Sequence, residues 1–265
     1  MATDMAAPVG AVEPGQGLTT EAVKPSRYGH SETVSQPDPY ESTGQLIAGI
    51  PIGARVLDVG CGDGSIARLI RELRQAEVIG VEPSPDRARQ AAGHGLTVFP
   101  TAFPAPELAE CGLFDVVLFA DVLEHLVDPV AALRAAAGYL KPGGRVSISM
   151  PNVTHWTIRW DLLNGRFDYR ATGLMDATHL RWFTRASAFR MVEAAGFTVE
   201  SYQVSAGTWM DDYRVRRGWR WLGPGRRGRV VRRLAGWWPT LFGCQHVIRA
   251  RLADRSSAGE PVARA

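Results

Sequence analysis

The chain is short of lysine and cysteine and has no long apolar run, and each shortage removes a class of protein. Lysine occurs only at Lys24 and Lys141 among 30 basic residues, so the positive charge is almost wholly arginine. That skew points to a GC-rich genome rather than to a function. The three cysteines, Cys61, Cys111 and Cys244, are odd in number and far apart, with no pair at metal-ligand spacing. A disulfide framework and a zinc site are therefore not expected, and a reducing compartment is. The N-terminus lacks a basic stretch leading into an apolar core, and no apolar run approaches the roughly 18 residues of a membrane span. Neither secretion nor a transmembrane segment is expected, which leaves the cytoplasm. What is present is ample: 265 residues, 45% of them apolar, suffice for one domain of the larger sort.

Charge is unevenly spread. Arg214–Arg233 holds nine of the 30 basic residues and none of the 27 acidic ones, so the +3 chain is net −6 outside that stretch. A mildly acidic domain with one basic patch does not by itself imply nucleic-acid binding. Val230, Val231, Leu234, Trp237, Trp238 and Leu241 are spaced as one helical face, with Arg229, Arg232 and Arg233 opposite. Weak docking on a membrane surface, an anionic substrate, and a solvated arginine face over a packed helix or homodimer interface all fit this pattern.

Residues 1–24 are rich in Ala, Pro, Gly and Thr without periodicity and are expected to be disordered. From Tyr40 the pattern becomes regular. Strands are predicted over Arg55–Val59, Val78–Val81, Leu96–Phe99, Phe114–Ala120, Arg145–Met150, Phe197–Val204 and Gln245–Leu252. Helices are predicted between them, with Ile66, Leu69, Ile70 and Leu73 forming one buried stripe. Ser84-Pro85, Asp128-Pro129 and Thr184 mark helix starts. Strands alternating with helices predict a doubly wound α/β sheet. Two segments break the rhythm, 152–183 and 209–243.

The first predicted strand runs into a glycine turn, VLDVGCGDG at Val56–Gly64, and the second ends in a carboxylate, Glu82. Strand, tight turn and helix start make a nucleotide-binding crossover. A pyrophosphate would want bare backbone N–H groups in the turn. This turn carries Asp58 and Asp63, which repel phosphate and suit a ligand bearing an ammonium and a sulfonium. Glu82 is then free to hold two ribose hydroxyls. A strict G-x-G-x-x-G fails because Ser65 holds its last place.

Together with GVEPS at Gly80–Ser84, FDVVLFADVLEHLVDP at Phe114–Pro129 and LKPGGRVSISMPN at Leu140–Asn152, this turn resembles the class I S-adenosylmethionine (SAM) methyltransferases. GRFDYRATGLMDATHLRWFT at Gly165–Thr184 and PTLFGCQHVIRARL near the end resemble the type 12 or 23 subgroup, linked to sugar and natural-product modification. The resemblance implies a seven-stranded Rossmann-like sheet with the last strand antiparallel. It also implies one methyltransferase domain over 25–252, with an acceptor cap at 152–183, a basic insert at 209–243 and a polar tail at 253–265. Carried over, Asp58, Gly60, Cys61 and Gly62 would line the amino-acid end of SAM, Glu82 the ribose and Pro83 the adenine. Thr101, Ala102 and Phe103 would edge the adenine, though many members carry Asp where Thr101 stands. Ala120, Asp121 and Val122 would flank the methionine part.

Transfer to a hydroxyl is helped by a general base titrating near neutrality, which points to histidine. His125, in Asp121-x-x-Glu124-His125, falls at the carboxyl edge of the fourth strand, where it serves as base or as a structural link to the loop after the fifth strand. His179, in Asp176-x-x-His179, falls in the cap, where Asp176 would orient the ring, or where the pair simply staples cap to sheet. Some related O-methyltransferases hold a divalent metal at the acid–acid–His cluster, here Asp121, Glu124 and His125. Adjacent residues on one turn converge poorly, so no metal is expected. Asn152, His155, Trp156 and Trp182 are candidate acceptor contacts, the tryptophans as an aromatic platform or as cap anchors, while His30 with Tyr28 and Tyr40 would suit an N-terminal lid. The expected reaction is methylation of a hydroxyl oxygen of a sugar or glycosylated natural product, with a small-molecule acceptor and no nucleic-acid partner. N-methylation and a SAM-binding scaffold without catalysis are the alternatives.

Overall fold

In the computed structural model, seven strands form one sheet in the order β3-β2-β1-β4-β5-β7-β6. The structure describes residues 36–215, 218–219 and 221–253; the expected disordered segment, His30 and Tyr28 of the expected lid, and most of the polar tail lie outside them. The strands are β1 (Arg55–Val59), β2 (Glu77–Val81), β3 (Thr97–Phe99), β4 (Phe114–Ala120), β5 (Leu140–Pro151), β6 (Phe197–Val204) and β7 (Gln245–Leu252). The first five are parallel, and β7 runs antiparallel to both β5 and β6.

The helices are α1 (Ser42–Ala48), α2 (Ser65–Arg74), α3 (Pro85–Gly93), α4 (Pro129–Ala137), α5 (Trp156–Leu163), α6 (Arg185–Ala194), α7 (Asp212–Val215), α8 (Pro224–Trp237) and α9 (Pro239–Phe242). Leu46 and Ile47 of α1, Leu69 and Ile70 of α2 and Ala91 of α3 pack on one face of the sheet. Leu133 of α4 and Met191 and Val192 of α6 pack on the other. Central β4 is apolar nearly throughout, as a strand covered on both faces must be.

The helix starts follow their side chains. Ser84 Oγ accepts from Arg87 N–H, Asp128 Oδ1 from Ala131 N–H, and Thr184 shares a capping box with Ser187. The start of β5 departs from expectation. The strand begins at Leu140 rather than at the predicted Arg145, so Lys141-Pro142-Gly143-Gly144 lies within it, where the register against β4 slips between Phe114 and Val116. A bulge accommodates the proline and two glycines.

The two irregular segments share a satellite core of their own. Ile158 of α5, Leu174, Met175, Tyr213 and Val231 and Ala235 of α8 are buried together. This core sits beyond β5 and β7 and forms the cap.

Candidate functional site: a cleft at the carboxyl edge of the sheet

A cleft of about 1210 Å³ opens over the carboxyl ends of β1, β2 and β4. Its floor is the glycine turn. Gly60, Gly62 and Gly64 all have positive φ, at 69°, 60° and 80°. Gly60 and Cys61 N–H both donate to the Val81 carbonyl, at 2.7 and 3.1 Å, which bends the chain back across β2. A Cβ at Gly60 would approach Val122 Cγ2 to 2.8 Å, and one at Gly62 would run into the Arg87 guanidinium. The left-handed backbone and the close neighbours both require glycine here.

The acids behave differently from one another. Glu82 is buried, and its carboxylate bridges the site: Oε2 accepts from Gly62 N–H and Oε1 from Ser84 N–H, each at 2.9 Å. Each oxygen keeps a further acceptor position. Asp58 lies beneath the turn, 1% exposed, with Oδ2 lacking a partner. Burial, and then the Glu82 charge, raise its carboxyl to about 7. Burial also pushes the Cys61 thiol far up, so it is not a nucleophile at neutral pH. Asp63 Oδ1 accepts from Ser65 N–H at the start of α2.

Beyond the fourth strand the wall is assembled from distant parts. Asp121 holds a positive φ of 55°. Ser149 Oγ donates to its Oδ1 at 2.8 Å, and Gln245 Nε2 to both its oxygens at 2.7 and 2.6 Å. His125 Nδ1 lies 3.1 Å from the Thr178 carbonyl, and His179 Nδ1 lies 3.3 Å from the Leu174 carbonyl. A carbonyl only accepts, so each ring carries its proton on Nδ1 and leaves Nε2 as an acceptor when neutral. The two rings meet edge to face with centroids 4.9 Å apart. Burial, and then the neighbouring His125, hold His179 below the usual imidazole range, which keeps it neutral.

Glu124 sits under this pair, 1% exposed, and neither side-chain oxygen has a hydrogen-bond partner. Burial, and then Asp121, push its carboxyl well above the usual carboxylate range. Ligand atoms of Glu124, His125 and His179 lie within 4.8 Å of one another. A cation-binding set at this place therefore recruits His179 from the cap rather than Asp121, which is turned to Ser149 and Gln245.

Ten of the twelve residues expected to hold the cofactor line the cleft: Gly60, Cys61, Gly62, Glu82, Pro83, Ala102, Phe103, Ala120, Asp121 and Val122. Asp58 and Thr101 do not; Asp58 is buried below the turn. His125, His179 and Asp176 line it together. Asp176 lies in a non-helical turn with Oδ1 on Thr178, and the His179 Nδ1 it was expected to orient faces the Leu174 carbonyl.

Asn152, His155, Trp156 and Trp182 are not among the lining residues. Buried Asn152 donates to the Thr240 and Gly243 carbonyls and accepts from Thr154 N–H and Oγ1, which uses its whole amide. His155 is fully buried, its rings atoms within hydrogen-bond distance of Thr157 Oγ1 and Tyr213 OH, and Trp156 Nε1 donates to the same hydroxyl. Trp182 packs with Phe167 and Tyr169. These four positions build the cap. Arg87, Leu174, Trp209 and Gln245 line the cleft instead. Of these only Arg87 had a signal in the sequence, as the first turn of a helix capped at Ser84.

The sheet order with its reversed β7, and a glycine turn floored by acids rather than bare amides, define the doubly wound methyltransferase fold. The chain matches the methyltransferase domain family over residues 37–202 and belongs to it; this membership implies SAM as the methyl donor. A ubiquinone biosynthesis O-methyltransferase of Xanthomonas axonopodis pv. citri is 39% identical over 110 residues, covering 39% of this chain and 46% of that protein. One from Cereibacter sphaeroides is 38% identical over 141 residues, 47% of this chain and 56% of that protein. The chain thus spans about half the length of the curated relatives it matches. Among solved structures, the CcbJ methyltransferase of Streptomyces caelestis superposes with a TM-score of 0.52 at 18% identity, over 82% of this chain and 91% of that one. At that identity the likeness carries the fold alone.

Proposed function

We propose that the protein transfers the methyl group of SAM to a hydroxyl oxygen of a small-molecule acceptor. The observation that carries this is the histidine pair facing the glycine turn across one cleft. Both rings are fixed by backbone carbonyls at Nδ1, and His179 is kept neutral by burial. The cofactor supplies the electrophilic methyl group, so the protein has only to align the oxygen with it and remove the hydroxyl proton. An Nε2 of His125 or His179 accepts that proton as the oxygen attacks. A neutral amine is the stronger nucleophile and would need less assistance from such a base.

The motif resemblance favours a sugar or glycosylated acceptor, whereas the relatives are named for ubiquinone biosynthesis. A hydroxyl oxygen is common to both. The lining residues supply no tryptophan platform except Trp209, so the sugar reading draws no support from Trp156 or Trp182. Incubating the protein with methyl-labelled SAM and panels of phenolic, sugar and amine acceptors tests the reading. Label is expected in an ether product; label only in amines, or none with SAM bound, would replace it with N-methylation or a scaffold role.

The Glu124 carboxyl, buried without a hydrogen-bond partner, favours a second reading. Glu124, His125 and His179 would then hold a divalent cation, which when bound would polarise the acceptor hydroxyl. Activity unchanged in excess EDTA keeps the histidines as bases. Loss of activity restored by magnesium or manganese assigns all three as ligands.

A further inference from the structure

All eight tryptophans of the chain fall within 152–183 and 209–243, the two segments that form the cap. These segments also carry 13 arginines against five aspartates, a net +8 on a chain of +3. Much of this aromatic surface faces solvent. Trp221 is 88% exposed, Trp237 70% and Trp238 54%, and on the same cap Trp160, Leu162, Leu163, Phe167 and Tyr169 are exposed as well.

Helix α8 sorts its faces differently from the sequence expectation. Val231 and Ala235 are buried in the cap core, whereas Trp237 lies on the arginine side. Arg226, Arg229, Arg233 and Trp237 are all exposed and, at 100° per residue, fall within an arc of about 80°. Arg232 points elsewhere: it pairs with Asp38 and lies over the Tyr40 ring at 4.7 Å. Among the described residues no acid pairs with Arg226, Arg229 or Arg233. One face of the helix thus presents only positive charge and ends in the exposed Trp237, with the exposed Trp238 beside it at the helix end.

We propose that this cap face docks on the surface of an anionic phospholipid bilayer, with Trp237 and Trp238 at headgroup level and Arg226, Arg229 and Arg233 on the phosphates. Indole rings with one apolar and one polar edge suit that depth, and guanidinium groups pair with phosphate while their stems lie along the apolar boundary. No described helix is long and apolar enough to cross a membrane, so the contact is peripheral. A second cavity of about 220 Å³ in the cap shares Gly173, Leu174 and Trp209 with the main cleft. The docking residues themselves line neither cavity. The inference does not rest on the methyl-transfer reading.

The test is co-sedimentation of the full chain with vesicles of phosphatidylcholine, with and without phosphatidylglycerol. Binding is expected only to the anionic vesicles and should weaken with salt. Arg226→Gln/Arg229→Gln/Arg233→Gln should lower partitioning about a hundredfold. Trp237→Ser/Trp238→Ser should lower it about tenfold or more at unchanged salt dependence. All are surface positions away from the cleft, and unchanged S-adenosylhomocysteine affinity shows that the variants are folded. No binding to anionic vesicles, equal binding to neutral ones, or binding indifferent to both sets of variants would overturn the proposal. So would a dimer in light scattering that dissociates on Trp237→Ser/Trp238→Ser, or duplex DNA bound in place of vesicles.

Discussion

The two halves of the cleft are built in different ways. The half proposed to hold the cofactor is made from neighbours along the chain: β1 leads straight into the glycine turn, β2 ends in Glu82, and that carboxylate ties Gly62 to Ser84. The acceptor half is made from pieces far apart. His125 is held by Thr178, 53 positions on, and meets the ring of His179, 54 positions on. The first half is determined by backbone conformation, since left-handed glycines and a strand end leave few arrangements. The second depends on how the cap settles on the sheet. Substitutions in one half should therefore change cofactor affinity, and those in the other turnover.

The largest effect is expected on the acceptor side. Replacing the histidine that takes the proton by alanine should lower kcat by about 10²–10⁴-fold with S-adenosylhomocysteine affinity unchanged. His125→Ala and His179→Ala are measured separately. If neither costs more than about tenfold, the two rings only tie the cap to β4, and alignment alone accounts for the rate.

Next comes Glu82→Ala. It frees the Gly62 and Ser84 amides and removes the acceptor proposed for the ribose, so cofactor binding should weaken by about 1.5–3 kcal/mol, read by calorimetry. An unchanged affinity would detach Glu82 from the cofactor and blur the division between the halves.

A smaller effect is expected from pH. Asp58, raised to about 7, is neutral below that pH and charged above it. A cationic amino-acid group favours the charged form, so affinity should rise by up to about tenfold from pH 6 to pH 8 and then level off. In the ligand-free protein the sign reverses. A carboxyl raised on folding contributes stability that is full below the unfolded range near 4 and is lost as pH rises through about 7. Asp58→Asn should therefore raise Tm at pH 8 and remove the pH dependence of binding. A flat affinity profile would contradict this.

The smallest effect on function belongs to Asn152. Asn152→Ala strands the Thr154, Thr240 and Gly243 groups it serves, and stability should fall by about 1–3 kcal/mol. Cofactor affinity, measured at a temperature where the variant is folded, should not move.

The same contrast explains what could be read from the residues. β1, β4, β6 and β7 have the bounds predicted for them, and Ser84, Asp128 and Thr184 cap the helices they announce, because these signals act over a few positions. The cofactor turn is equally local, apart from Asp58, whose depth below the turn has no local mark. The cap was not legible. Asn152, His155 and Trp156 carry ligand-like chemistry, yet their partners lie 57 to 91 positions away, in Tyr213, Thr240 and Gly243. Only tertiary packing decides whether such groups face a ligand or each other. His179 joined to Glu124 and His125 is the same case reversed, a cluster that no spacing along the chain announces.

Calorimetric titration of the purified protein with S-adenosylhomocysteine tests the central claim most directly, since it asks whether the glycine turn and its acids form the cofactor half of this cleft. The account predicts one site of roughly micromolar affinity, weakened by Glu82→Ala and unaffected by His125→Ala. Binding of NAD with no response to S-adenosylhomocysteine would contradict it.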